Sequence, residues 1–177
     1  MEMTPKIESL MAFAGSARPL DRLVRGKAPT KAKEAVAASG LKPLVQGALF
    51  LYLDCFEEAH QVANDHEGTW QGNWLHAIVH RREPDAGNSK YWYARVKAPE
   101  GAYRAIGWAA LGLLGEKPPK GLEELAEKTK RSGVWEPEAF VEACDKVRTG
   151  SPDLPEYRAL CRLQELEWTH LLKSILG

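Results

Sequence analysis

A chain of 177 residues suits one domain with a core large enough to stand without staples, and 24 basic against 24 acidic side chains leave no overall charge to draw it to nucleic acid or an acidic surface. Hydrophobic residues at 44% and charged residues at 27% exclude a disordered chain. Cys55, Cys144 and Cys161 are odd in number, far apart and set in apolar helical patterns, so they read as buried thiols of a reducing compartment and not as a disulfide framework.

At the N-terminus the short "LMAFAG" lacks the basic leader and length of a signal segment. The longest nearly apolar run, Ala48 to Leu53, falls far short of a membrane span. The expectation is a soluble cytoplasmic protein with neither a membrane nor a nucleic-acid partner. Gly15, Pro19, Gly26, Pro29, Gly40 and Pro43 cut the opening residues into short helical pieces. Pro43 to about Asn64 is predicted as one helix, apolar nearly all round through Phe56 and therefore central. A second helix spans Gln71 to Arg82. "DAGN" after it reads as a turn, and "KYWYARV", Lys90 to Val96, is the only strand-like run.

Glu100 to Leu114 is predicted helical but carries Gly101, Ala102, Gly107, Ala109, Ala110 and Gly112, so it needs a closely packed partner. "GEKPPKG", "SGVWEP" and "TGSPDLP" punctuate the last third, around amphipathic helices from Pro137 to Val147 and from Leu154 to Leu176. No repeat of 20 to 50 residues is present. The fold class is an all-α single-domain bundle over residues 1–177: short helices in 1–42, a site-bearing core in 43–114 and covering helices in 115–177.

The chemistry concentrates where the first two long helices meet. Turning the Gln71 to Arg82 helix by about 100° per residue puts Trp74, Leu75, Ile78 and Val79 on one side. His76, His80 and Asn73 fall on another, with Gly72 leaving space and Glu83 in line, although Pro84 disfavours helical geometry at Glu83. That second face lacks the Lys and Glu of a solvated helix and reads as the wall of a polar cavity. Two histidines four apart can reach one metal ion.

The preceding helix adds Asp54, Glu57, Glu58 and His60 in a segment read as buried, where charge needs a partner. Residues 65–70 form a short connection that returns the second helix onto the first. His60, His76 and His80 with Glu57 and Glu58 are therefore the predicted metal set, for a single zinc, iron or manganese ion with an open position. Glu83 and Asp54 are the candidate catalytic bases. Arg81, Arg82, Asp85, Asn88, Lys90, Tyr91 and Trp92 are the candidate wall for a small anionic substrate. His66 reads as solvated and His170 as a capping or surface residue.

Three readings stay open on these residues: a metal-assisted, hydrolase-like enzyme acting on a small anionic molecule, a metal-free binding pocket, or a structural network in which Arg82 answers Asp54 or Glu58 and no ligand is needed. The stretch "HAIVHRREPDAGNSKYWYARV", with "LYLDCFEEAH" upstream, resembles a set of bacterial and fungal proteins of unassigned function. They share His-x-x-x-His-Arg-Arg-Glu-x-Asp followed by Asn-x-x-Tyr-Trp. The resemblance covers roughly Leu51 to Val96 and implies that His60, His76, His80, Arg81, Arg82, Glu83, Asp85, Asn88, Tyr91 and Trp92 form one unit, without assigning an activity. No phosphate loop, dinucleotide glycine fingerprint, Gly-x-Ser-x-Gly elbow or Cys-x-x-Cys pair is present.

Overall fold

The computed structural model of the chain describes residues 4–16 and 18–177. Its regular elements are α1 (Pro5–Met11), α2 (Ala32–Ala37), α3 (Pro43–Tyr52), α4 (Phe56–Asp65), α5 (Trp70–Arg82), α6 (Ala86–Tyr93), α7 (Glu100–Leu114), α8 (Glu123–Ser132), α9 (Pro137–Val147) and α10 (Pro155–Leu176), with short 3-10 turns at Ala12–Ala14 and Pro19–Asp21. Among the described residues there is no strand, so the all-α class holds. Prolines open α1, α3, α9 and α10, where a missing N–H is harmless and the fixed φ suits the first turn. No helix among the described residues is long and apolar enough to cross a membrane.

The structure corrects the predicted helix from Pro43 to Asn64. The chain breaks after Tyr52, and Asp54 adopts a left-handed φ of 58° before α4 begins. Asp tolerates this region better than most side chains, and here its carboxylate is fixed by cations from elsewhere in the fold. Arg82 Nη2 lies 2.8 Å from Oδ1, and Arg22 Nη2 lies 3.4 Å from Oδ2. The centre of the molecule is α5, whose residues from Gly72 to Arg82 are all buried, with α3, α4, α6 and α10 packed round it.

The turn and strand-like run at residues 85–96 are also corrected, because most of that stretch is α6. Asp85 caps it by accepting from Asn88 N at 3.0 Å, and the aromatics that favour extended backbone elsewhere are drawn onto α5. Ser89 Oγ donates to Ala77 O at 2.8 Å, and Tyr93 is buried. Helix α8 was not among the predicted helices. Its helical charge arrangement is favourable, with Glu123 and Glu124 in the first turn, Lys130 and Arg131 in the last, and Gly133 closing it at φ 70°.

Helix α7 packs on α10, and at Gly107 its closest neighbour is the loop before α9. A Cβ on Gly107 would lie 2.7 Å from the Val134 carbonyl carbon, and Trp135 N donates to Tyr103 O at 2.8 Å across the same contact.

Candidate metal centre

Helix α4 carries His60, and α5, one short connection later, carries His76 and His80. Thr69 starts α5 by accepting from Gly72 N at 3.1 Å. Gly72 then lets the backbone of the connection lie against the helix, since a Cβ there would sit 2.2 Å from His66 O. This contact sets how close α5 comes to the end of α4. The i, i+4 spacing places His76 and His80 one above the other, their rings stacked with centroids 4.9 Å apart. His60 meets both edge-on at 4.7 and 5.0 Å.

One ligand atom from each of the three rings lies within 4.8 Å of the others, and this is the only such group of His, Cys, Asp and Glu among the described residues. His60 Nε2 and His76 Nε2 are 2.8 Å apart, a hydrogen-bond contact. Around a tetrahedral ion with bonds of about 2.0–2.1 Å, ligand nitrogens stand roughly 3.3 Å apart. The short pair would open by about half an ångström and the widest separation would close by about 1.5 Å, adjustments within reach of imidazole rotation. The trio therefore fits one small transition-metal ion.

The rings make few polar contacts beyond one another. His76 Nδ1 is buried with no hydrogen-bond partner, and His80 Nδ1 has only the Glu83 carboxylate at 3.5 Å. The buried Arg81 Nε and Nη2 and Arg82 Nε of the neighbouring ion pairs are likewise without a partner among the described residues, so what sets the rings apart is their convergence. Burial, reinforced by the neighbouring His60 and His80, pushes His76 down to about 3 from an ordinary 6.5. Burial and His60 also lower His80, against the opposing pull of Glu83 and Asp85. Both rings are thus neutral near pH 7, the form that donates a lone pair to a metal.

The predicted acids fall elsewhere. Glu57 is exposed and meets Arg25 at 3.5 Å, while Glu58 is ion-paired with Lys33; neither joins the histidine group. The break at Asp54 puts both in the first turn of α4, one turn short of His60 and facing the N-terminal segment. Asp54, proposed as a base, is locked in its buried pair with Arg82 and Arg22, so that assignment is corrected to a structural one. Glu83 stays beside the cluster, a quarter exposed, shared between His80 and Arg25 at 3.5 Å each.

Most of the predicted substrate wall is also structural. Arg82 is wholly buried and donates to Leu51 O and Pro19 O, both at 3.0 Å, as well as to Asp54. Arg81 is buried against Glu167 and donates to Tyr93 OH at 2.6 Å. Asp85 and Asn88 hold one another, with Asn88 Nδ2 2.7 Å from Asp85 Oδ2, and Lys90 pairs with Glu142 at 2.7 Å. These five side chains make ion-pair, packing and capping contacts within the protein, with Nε and Nη2 of Arg81 and Nε of Arg82 left unpartnered among the described residues. Trp92 and Tyr91 remain available: Trp92 stacks on His76 at 3.9 Å, and Tyr91 is half exposed. His66 and His170 each bond a carbonyl one turn back, Val62 O and Leu166 O.

Glu167, on α10, is the residue that sequence reasoning missed. It is fully buried, and Oε1 accepts from Tyr93 OH at 2.8 Å, Trp135 Nε1 at 3.1 Å and Trp74 Nε1 at 3.2 Å, while Oε2 takes Arg81. The signal was present, because an acid in the apolar stripe of Leu160, Leu163, Leu171 and Leu172 must have a buried partner. Asn73 was noted only as a neighbour of the histidines. It donates from Nδ2 to Arg95 O at 3.0 Å and accepts from Gly68 N at 3.4 Å, tying the α4–α5 connection to the end of α6.

No family model, no curated protein and no solved structure matches this chain.

Proposed function

We propose that His60, His76 and His80 hold one divalent transition-metal ion and that the protein is a metal-assisted, hydrolase-like enzyme acting on a small anionic molecule. The observation that carries the reading is the convergence of three imidazoles from two helices, with one buried nitrogen, His76 Nδ1, left without a partner among the described residues. Three imidazole nitrogen donors favour zinc or iron over manganese, which prefers oxygen ligands. Three protein ligands with a position left open is the arrangement of catalytic rather than structural zinc. Such an ion lowers the pKa of a bound water to about 7 and so supplies a nucleophile near neutral pH.

The chain's own residues supply orientation and proton handling. Glu83, next to His80 and reachable from solvent, accepts a proton or orients His80 through Nδ1, the outer-carboxylate role common to metal-ligating histidines. Arg25 limits its movement. Trp92 covers one face of His76 and keeps bulk water from that side. The rival reading, a non-catalytic structural network, accounts for Asp54, Glu58, Glu167 and their cations but leaves the imidazoles without a purpose.

Elemental analysis decides between them. Protein stripped with EDTA, reloaded with zinc or iron(II) and desalted is expected to retain about one ion per chain, and His76→Ala and His80→Ala are expected to lose it while remaining folded by circular dichroism. Wild-type protein that retains no ion after loading ends the proposal.

A further inference from the structure

Next to the histidine cluster, where the α4–α5 connection meets the end of α6, a cleft of about 530 Å³ opens to solvent. This volume is within the range of small-molecule sites, roughly 300–1,000 Å³. Its walls include Trp70, Tyr91 and Trp92, its charged rim carries Arg95 and Lys97, and Asn73 lies at its base. None of the three histidines lines it, so a molecule in the cleft meets the proposed metal centre only through the Trp92 indole that stacks on His76.

The cleft is built before any ligand arrives. The buried Asn73 amide spans its two lips through Arg95 O and Gly68 N, and Trp70 stacks on Trp74 of the core at 6.0 Å. Arg95 is held with its guanidinium over the Tyr91 ring, Cζ 3.3 Å from the centroid, and Nη1 donates to Tyr91 O at 2.9 Å. Nε and Nη2 of Arg95 make no hydrogen bond among the described residues, and Lys97 makes none either. Two free cationic ends thus border aromatic walls whose tyrosine is half exposed. Exposed aromatics of this kind are sites for stacking planar rings, and a guanidinium already fixed by stacking has little freedom left to lose on binding a carboxylate.

Glu67 also lines the cleft and sets the charge of what fits. Two cations against one carboxylate leave a single positive charge, which suits a monoanion and opposes a polyphosphate. We infer that the cleft bounded by Trp70, Trp92 and Arg95 is a binding site for a planar aromatic monoanion, an aromatic ring bearing one carboxylate. Calling that ligand the substrate rests on the enzymatic reading above, whereas its binding does not require the ion.

The test uses 2-naphthoate followed by saturation-transfer NMR titration of the whole chain, beside 2-naphthalenemethanol, which lacks the charge, and hexanoate, which lacks the ring. Naphthoate is expected to bind saturably with a Kd at or below about 1 mM, what a ligand of its size attains at ordinary efficiency. Both controls are expected to bind at least tenfold more weakly. Arg95→Gln and Lys97→Gln, two exposed positions whose folding is checked by thermal melting, are expected to weaken naphthoate by about tenfold and threefold. Protein stripped with EDTA and desalted is expected to bind it unchanged. Absence of saturable binding, equal binding of the neutral analogue, or wild-type affinity in both variants overturns the inference, and so does loss of binding on metal removal, which would move the site into the histidine cluster. Failure of the metal reading appears instead as absence of retained ion with naphthoate binding intact.

Discussion

Replacing Glu167 probes what holds α10 to α5, α6 and the loop before α9. The carboxylate is fully buried and accepts four donors: Arg81, Tyr93, Trp74 and Trp135. Glu167→Ala leaves the Arg81 guanidinium, itself almost wholly buried, without its counter-charge. Breaking a buried pair from one side costs about 3–5 kcal/mol. The three neutral donors left behind add about 1–3 kcal/mol each if they stay dry, less if the cavity admits water. The sum reaches the whole stability of an ordinary domain, about 5–15 kcal/mol, so Glu167→Ala is expected to be unfolded or nearly so at 25 °C.

Glu167→Gln keeps volume and one acceptor oxygen but removes the charge and turns an amide N–H₂ toward a set in which Arg81 and the two indole N–H groups can only donate. Its expected cost is about 3 kcal/mol, read as a fall in the urea midpoint with an unchanged slope, by tryptophan fluorescence and circular dichroism together. The double variant Arg81→Met with Glu167→Gln removes both charges while keeping an acceptor oxygen for Tyr93 and the two indoles, and is expected to recover part of the loss, because the unpaired guanidinium disappears. A Glu167→Gln protein within about 0.5 kcal/mol of wild type would show that the carboxylate is not the anchor described, and the reasoning from buried donors would fail with it.

Two further outcomes follow from the site. In metal-free protein His76 has a folded-state value near 3 against an ordinary 6.5, so the unfolded chain binds more protons between those limits. Stability is therefore full above about pH 6.5 and falls as pH drops toward 3, with a ceiling of roughly 4–5 kcal/mol. Urea midpoints between pH 7.5 and 4.5 should fall less steeply in His76→Gln than in wild type, and parallel curves would count against the neutral, buried imidazole. Gly72→Ala places a methyl 2.2 Å from His66 O, so the connection must shift; a loss of about 1–3 kcal/mol in unfolding and weaker zinc retention are expected, and a wild-type melt would contradict the close approach.

The histidine group was legible because its determinants are local: an i, i+4 pair on one helix, and a third imidazole on the helix before it, separated by a connection too short to send the chain elsewhere. The bounds of α7 and α9 were legible for a similar reason, since composition and proline placement act within the segment. The break at Asp54 was not, because a continuous helix is what local propensity favours there, and the left-handed turn is held by Arg82, 28 residues away. Once the helix breaks, Glu57 and Glu58 leave the side that His60 faces, and two of the five expected metal ligands depart together. Residues 90–93 follow the same logic, with aromatic residues that favour strands taken into α6 by packing on α5.

Arg81 and Arg82 show where the sequence argument divides. An arginine at the end of an otherwise buried helix needs a counter-charge, and that requirement was readable. For Arg82 the counter-charge lay in the preceding helix pair and was found among the candidates. For Arg81 it lies 86 residues further on, in α10, where Glu167 was passed over as one polar residue in a long amphipathic pattern. A buried acid and a buried base each announce that a partner exists, but pairing them across the fold needs the tertiary arrangement that brings α5 and α10 together. Sequence spacing can therefore nominate the histidines as ligands, whereas the division between structural and ligand-binding arginines depends on contacts made only after the chain has folded.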